Sequence, residues 1–567
     1  MPTRRSAASY DSSSPWSLAL AHPRAVLVVL CLLMFLPGIA TIPPLDRDES
    51  RFTQATKQMI ETGDFIEIRF QDEARNKKPI GIYWMQAITA GWLSGEPHNS
   101  IWAYRIPSVI GGILVALFVF GIGRRLFDDE TAMIGAGLMA SSLLMIGEAH
   151  IGKTDAVLVA CVTGAQLLVA HFFVAARQGA PQPLVRYSAL FGLAMGIGML
   201  VKGPMILFFV GLTVIALSIW ERRWGWIMTM RPIFALGIIV LINVPWLVAI
   251  GLVTKGAYFT EAIGQDFLGK MAGAQESHWG PPGYYLATML VGFWPGWLFL
   301  APGVVYALAR SHEGAVRFLL AWIIPAWVLL ELAPTKLPHY VLPLYPALAL
   351  LCGAAVMAGV RESRSFLDNT PVKLAAVLWL VVTLALAGGA LFYLPGAYGN
   401  GSGIFLWLLA APILGAAAIA VLFLLRGEGE NAAAAAVAAG ALFAAIVLAA
   451  VLPRLDQVML SRKAADLIAR SGALPAAVTS VGFAEPSLVF QVGTKMKLSD
   501  TPEEAADFLT KNPNSVALVE QSKDAGFHQR LTQQNFSAEP LGNVKGINYS
   551  RGDHLTLTLY RLRKTGP

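Results

Sequence analysis

Apolar residues run through this chain in long blocks rather than in alternation, and the blocks indicate its architecture before any single residue is considered. Thirteen stretches carry almost no charge: 25–42, 106–123, 131–148, 156–176, 187–201, 203–220, 232–253, 284–308, 318–333, 340–359, 374–395, 404–425 and 432–452. A helix needs about 20 such residues to cross the hydrocarbon layer. The pattern therefore predicts a mainly α, polytopic membrane protein of about 13 transmembrane helices. Only Lys202 and Gly203 divide the fifth stretch from the sixth. The polar segment 1–24 reads as a cytoplasmic N-terminus. The run after it lacks an A-x-A cleavage site and reads as a retained first span. Residues 25–452 then form the membrane domain.

Three segments break the pattern. The loop 43–105 is long and charged, and within it Phe52, Ala55, Thr56, Met59 and Ile60 recur at helical spacing before Gly63. This predicts an amphipathic helix lying on the membrane surface. Pro79 opens a second apolar stretch, too short to span and placed at the interface. The loop 254–283 predicts a weaker helix followed by GAQESHWGPPGYY. Residues 453–567 change character: possible strands (AAVTSVG, SVALVEQ, HLTLTLYRL) alternate with polar helices such as TPEEAADFLTKN. They predict a small α/β extracytoplasmic domain.

Composition supports the same reading. Hydrophobic residues make up 55% of the chain and charged ones 14%, against about 25% charged in soluble domains, which excludes a soluble protein. The net charge of +7 comes from arginines in short loops. With a cytoplasmic N-terminus, every short inner loop carries arginine, while the short outer loops hold at most one lysine, as the positive-inside rule requires. An odd number of spans places the tail outside. No basic strip interleaved with aromatics suggests nucleic acid. Cys31, Cys161 and Cys352 each lie inside an apolar run, without the spacing of a metal site or disulfide framework.

Ionisable residues at membrane depth are costly, so those that persist are functional candidates. On this topology Asp48, Glu49, Lys78, Lys153, Asp155, Lys202, His278, Lys336, His339 and Tyr340 all fall on the outer side. Each has a plainer reading: Asp48 and Asp155 as helix N-caps, the lysines as snorkelling side chains, the histidines as interfacial residues. For Asp155 cap and ligand stand level. Glu61, Asp64, Glu67, Asp72 and Glu73 read as a solvated loop face. The co-location of acids and cations lifts the set above its parts. Transfer from a lipid-linked phosphate sugar needs cations for the departing phosphate and an acid to activate or orient the acceptor, with a membrane groove for the lipid. A transporter would place its charges near the midplane.

The strings PPLDRDESRFTQATKQMIETGDF and NKKPIGIYWMQA resemble the first outer loop of lipid-phosphate-dependent sugar transferases of the GT-C fold, including aminoarabinose transferases and protein O-mannosyltransferases. Thr154-Asp155 and KLPHYVLPLYPALALL match further motifs of that family. ESHWGPPGYY is similar to the His-x-x-Pro-x-x-Tyr-Tyr segment of its aminoarabinose branch. The resemblance implies a GT-C fold with thirteen spans and an outside tail. It also implies Asp48 as catalytic carboxylate, Lys78 as donor-phosphate ligand, and Lys336 and Tyr340 as donor contacts. Aminoarabinose transferases carry a glutamate before the phosphate-binding lysine, where this chain has Lys77, and no metal is assigned.

The expectation is thus an inverting glycosyltransferase of the bacterial inner membrane. It moves a sugar from a polyprenyl phosphate, undecaprenyl phosphate, to lipid A or a related glycolipid at the periplasmic face. Asp48 and Asp155 are the catalytic candidates. Glu49, Lys78, Tyr83, Lys202, His278, Lys336, His339 and Tyr340 are the substrate-binding candidates. A protein O-glycosyltransferase and a lipid-linked-sugar flippase are the alternatives.

Overall fold

The computed structural model describes residues 15–179, 184–262, 279–362, 369–401 and 403–564. Among them, nine helices are long and apolar enough to cross a membrane. Two bent pairs, Asp129–Ala140 with Leu143–Ala149 (63°) and Tyr284–Gly292 with Gly296–Ala309 (115°), raise the count to eleven if each is one span. Pro23–Phe35 and Met205–Glu221 are apolar but shorter. Each of the thirteen expected stretches falls on one of these helices, although length and apolarity alone do not carry the count to thirteen. The chain is a multi-pass membrane protein.

The two bends explain each other. A break in a helix at membrane depth frees backbone groups that lipid cannot satisfy, so it persists only where protein covers it. Here the Leu143 amide donates to the Trp294 carbonyl at 3.0 Å, joining one break to the other. Trp294 is fully buried, its indole N–H donates to Thr383 Oγ1 at 2.9 Å, and Trp379 donates to the Pro295 carbonyl at 3.1 Å. The bend lets the chain deliver Glu148 and the turn 150–154 to one end of the bundle, just before the helix Asp155–Gln178.

The helix Asp48–Thr62 forms where the periodicity placed it and ends at Gly63, whose φ of 73° is the left-handed cap that a side chain would strain. Its setting differs from expectation. Rather than lying free on the membrane surface, it is covered on nearly all sides, with Glu49, Gln54, Thr56 and Lys57 all buried. The C-terminal domain covers one part of it, while Arg105, Tyr83 and Gln86 cover the rest. Lys57 donates to the Phe490 carbonyl at 3.0 Å and lies 5.4 Å from the Phe490 ring centroid, and burial pushes its ammonium below the ordinary lysine value. Gln54 donates to Thr494 Oγ1 at 2.7 Å, and Gln71 to the Thr494 and Met496 carbonyls.

That domain is a five-stranded sheet in the order Lys497–Ser499, Val478–Val481, Val516–Glu520, Asp553–Lys564, Phe536–Asn548. The first three strands are parallel and the last two antiparallel. Val478–Val481 is buried at every position, as suits a parallel strand covered on both faces. The three expected strands and the helix Pro502–Lys511 are present; Lys497–Ser499 and Phe536–Asn548 are additional.

Candidate active site

The site assembles where helix ends and turns meet beneath the C-terminal domain. Its centre is Asp155, the first residue of its helix and almost wholly buried. Asp155 Oδ1 lies 2.5 Å from Lys202 Nζ and 3.7 Å from His339 Nε2, while Oδ2 lies 3.6 Å from Lys153 Nζ. Lys153 reaches on to Glu148 Oε1 at 3.1 Å. Asp155 therefore gathers three cationic or titratable groups from three separate elements. Burial alone would lower the Lys153 ammonium, but the carboxylates of Asp155 and Glu148, with Asp48 further off, hold it above the ordinary lysine value. It stays a cation at any physiological pH. Buried charges persist only when paired in this way.

Aromatic faces border the charges. Lys202 Nζ lies 5.8 Å from the Tyr340 ring centroid, and the His339 and Tyr340 rings meet edge to face at 4.9 Å. Pro338 and Pro343 hold this segment in a 3₁₀ turn before the helix Tyr345–Arg361. Lys336, just upstream, is buried and donates to the Gly280 carbonyl at 2.8 Å, tying the tenth expected span to the loop that precedes the eighth. His278 lies outside the described residues.

Asp48 is exposed at the first turn of its helix and within electrostatic reach of Lys153 and Tyr83. Glu49 has a different position from the substrate contact expected of it. It is buried, takes a two-pronged ion pair from Arg105 (2.7 and 2.8 Å), and accepts the amides of Gly152 and Leu45 at 2.8 Å each. Arg105 Nη1 donates to the carbonyls of Ile39 and Ile42, and Nη2 donates also to that of Pro43. Glu49 and Arg105 thus lock the first loop to the turn that carries Lys153.

Tyr83 is likewise buried rather than lining an open groove. Its ring packs on Phe52 at 5.4 Å, and its hydroxyl takes a long 3.4 Å contact from Arg75. Burial holds the phenol above its ordinary value despite the nearby Arg75 guanidinium, so it stays protonated. Lys78 is half-buried in the turn before the helix Gly81–Leu93. A Cβ on Gly81 would stand 2.7 Å from the Leu200 carbonyl oxygen. Only glycine permits this approach, which sets the Lys78 turn against the end of the helix bearing Lys202.

Sequence reasoning passed over Glu148, Arg105 and Arg75. Glu148 closes an apolar run, and its position five residues before Lys153 was the available signal. Its Oε2 is buried without a hydrogen-bond partner. Among the described residues no three His, Cys, Asp or Glu side chains gather as metal ligands. At the position of the family's glutamate, Lys77 is exposed beside Lys78, a poor place for a cation.

Residues 77–248 match the model of the dolichyl-phosphate-mannose-protein mannosyltransferase family. The crystal structure of ArnT from Cupriavidus metallidurans bound to undecaprenyl phosphate superposes with a TM-score of 0.74 at 18% identity, covering 96% of this chain and 98% of that one. The chain has the GT-C fold. Another GT-C protein, the oligosaccharyltransferase of Archaeoglobus fulgidus, is similar at a TM-score of 0.54 and 11% identity, over 90% of this chain and 70% of that one. In sequence, this GT-C chain is 28% identical over 363 residues to the undecaprenyl phosphate-alpha-4-amino-4-deoxy-L-arabinose arabinosyl transferase of Edwardsiella ictaluri, covering 64% of this chain and 62% of the relative. The enzyme of the same name from Pectobacterium carotovorum is 28% identical over 386 residues, 67% of each. The chain thus aligns with a little under two thirds to two thirds of these relatives' length.

Proposed function

We propose that this protein is an inverting glycosyltransferase of the bacterial inner membrane. It takes a sugar from undecaprenyl phosphate and passes it to lipid A or a related glycolipid at the periplasmic face. The observation that carries this reading is the Asp155 cluster. Two lysines and a histidine, drawn from separate elements of the chain, surround one buried carboxylate, with the exposed Asp48 within electrostatic reach of Lys153. The names of the curated relatives make 4-amino-4-deoxy-L-arabinose the first sugar to test.

The chemistry follows from charge. As the bond between the anomeric carbon and the phosphate oxygen breaks, negative charge grows on the phosphate and positive charge on the sugar. Lys202, Lys78 and Lys336 meet the phosphate, with Asp155 holding Lys202 in place. Tyr340 and His339 flank the sugar-phosphate linkage. The acceptor oxygen attacks from the opposite face and inverts the configuration, and undecaprenyl phosphate departs. A lipid phosphate acceptor is already ionised near neutral pH, so Asp48 orients it or stabilises the positive charge developing on the sugar. Glu49 and Arg105 act by positioning the loop.

Mass spectrometry of lipid A and core from cells with and without the gene tests the proposal. A sugar is expected to vanish on deletion, to return with the parent gene, and to stay absent with Asp48→Asn. Unchanged lipid A overturns it. The family match over 77–248 favours one second reading, transfer to protein hydroxyls, in which the sugar vanishes from secreted protein instead.

A further inference from the structure

The C-terminal domain touches the loop carrying Asp48 at a few defined points, and these bear on the residues immediately before it. The strands Phe536–Asn548 and Asp553–Lys564 pair along their length down to Asn548 opposite Asp553. The turn that joins them, 549–552, therefore projects from the end of the sheet. Tyr549 Oη accepts the Asp46 amide at 2.5 Å, and the Arg47 guanidinium donates to the Ser550 carbonyl. From the other side of the domain, the Ser487 amide donates to Asp46 Oδ1 at 3.2 Å. Below, Glu49 Oε2 accepts the Leu45 amide at 2.8 Å, and the Leu45 carbonyl takes both the Ser50 amide and its hydroxyl.

Arg47, the residue so gripped, has φ 69°. A left-handed conformation in a residue other than glycine costs on the order of 1–3 kcal/mol and persists only where the surroundings over-determine it. Without the contacts from the C-terminal domain, the turn would relax toward ordinary backbone angles and swing Asp48. Docking the domain does not require this grip, since Lys57 and Gln54 further along the same helix, and Gln71 in the loop beyond it, already bind it.

We infer that the C-terminal domain sets the reacting geometry, with Tyr549 as a positioning residue that holds the strained Asp46–Arg47 turn and so aims the Asp48 carboxylate. This rests on the role proposed above for Asp48. The domain, more than 400 residues away in sequence, thereby becomes part of the active site without touching substrate.

Full-length protein reconstituted in liposomes, supplied with undecaprenyl phosphate–4-amino-4-deoxy-L-arabinose and lipid A, tests the inference. Tyr549→Phe keeps the ring and removes the acceptor. It is expected to lower kcat by roughly tenfold or more while donor KM stays within about twofold, since misplacement by about an ångström can cost 100-fold in rate. Hydrogen exchange should quicken in residues 45–50 and nowhere else in the membrane domain. Tyr560→Phe removes a hydroxyl whose partners, Asp524 and Thr558, both lie inside the C-terminal domain, and should match the parent. Parental kcat in Tyr549→Phe overturns the inference, as does a loss of activity accompanied by a general fall in melting temperature and undecaprenyl phosphate binding. If Asp48→Asn keeps parental turnover, both this inference and the catalytic assignment of Asp48 fall. If Asp48→Asn is inactive while Tyr549→Phe is parental, the positioning role alone falls.

Discussion

The two faces of the bundle use charge in opposite ways. On one face arginines join helix ends across the surface: Arg177 and Arg317 share Glu221 at 2.6 and 3.0 Å, Arg310 holds Glu313 and Glu362, and Arg361 holds Asp128 and Glu130. These pairs are partly open to water. On the other face lysines sink among carboxylates, with Lys153, Lys202 and Asp155 at 9, 13 and 7% side-chain exposure. The planar arginine fork braces one geometry, whereas a lysine ammonium is a compact charge on a flexible stem that can turn toward an arriving anion. One face is braced throughout, and the other sets responsive lysines beside one buried brace, Arg105 on Glu49.

Four substitutions sharpen that contrast, in order of expected effect. Arg105→Met should hurt most, because it leaves the buried Glu49 carboxylate without its cation. Loss of one partner of such a pair typically costs about 3–5 kcal/mol, read as a collapse in the melting temperature of detergent-solubilised protein. Lys202→Met comes next. Donor KM should rise roughly 10- to 100-fold, corresponding to about 1.4–2.7 kcal/mol, while the fold survives; a parental KM would remove Lys202 from the phosphate site.

Asp46→Asn probes the edge of the lysine face through pH. Burial, helped by nearby Glu485, outweighs the hydrogen bonds from Ser487 and Tyr549 and pushes the Asp46 carboxyl up to about 6. A carboxyl raised in the folded state holds its proton more tightly there. Its contribution is full below the ordinary carboxylate value near 4 and is lost as pH climbs through about 6. The variant should melt like the parent at pH 4 and above it at pH 7, by an amount on the order of 1 kcal/mol once solvent screening is allowed for. Equal melting at both pH values would refute this. Glu221→Gln, on the arginine face, should change stability by less than about 1 kcal/mol and leave turnover alone. A large loss of turnover there would erase the distinction between the faces.

The parts legible in sequence were those with local signatures. Apolar blocks marked the helices, the Lys202-Gly203 break separated two of them, and the runs AAVTSVG, SVALVEQ and HLTLTLYRL marked three of five strands. Asp48, Asp155, Lys202, His339 and Tyr340 fell on one side, and the fold brings them together. What stayed hidden depended on partners far away in the chain. Glu49 looked like a companion of Asp48 until Arg105 and the Gly152 amide claimed it. Tyr83 looked like a groove residue until Phe52 and Arg75 covered it. Glu148 was absorbed into an apolar average, because a hydropathy window cannot see that the chain bends at Ser141 and Ser142. The grip of Tyr549 on Asp46 spans 503 positions and leaves no mark in either neighbourhood.

The close pass at Gly81 has a dimensional consequence. The spacing between the Lys78 turn and the Lys202 helix is set there by a single hydrogen atom, so even one methyl group would wedge the two apart. Anyone seeking to retool this scaffold for head groups of another size has a natural adjusting screw at that position, a few residues from both Lys78 and Lys202.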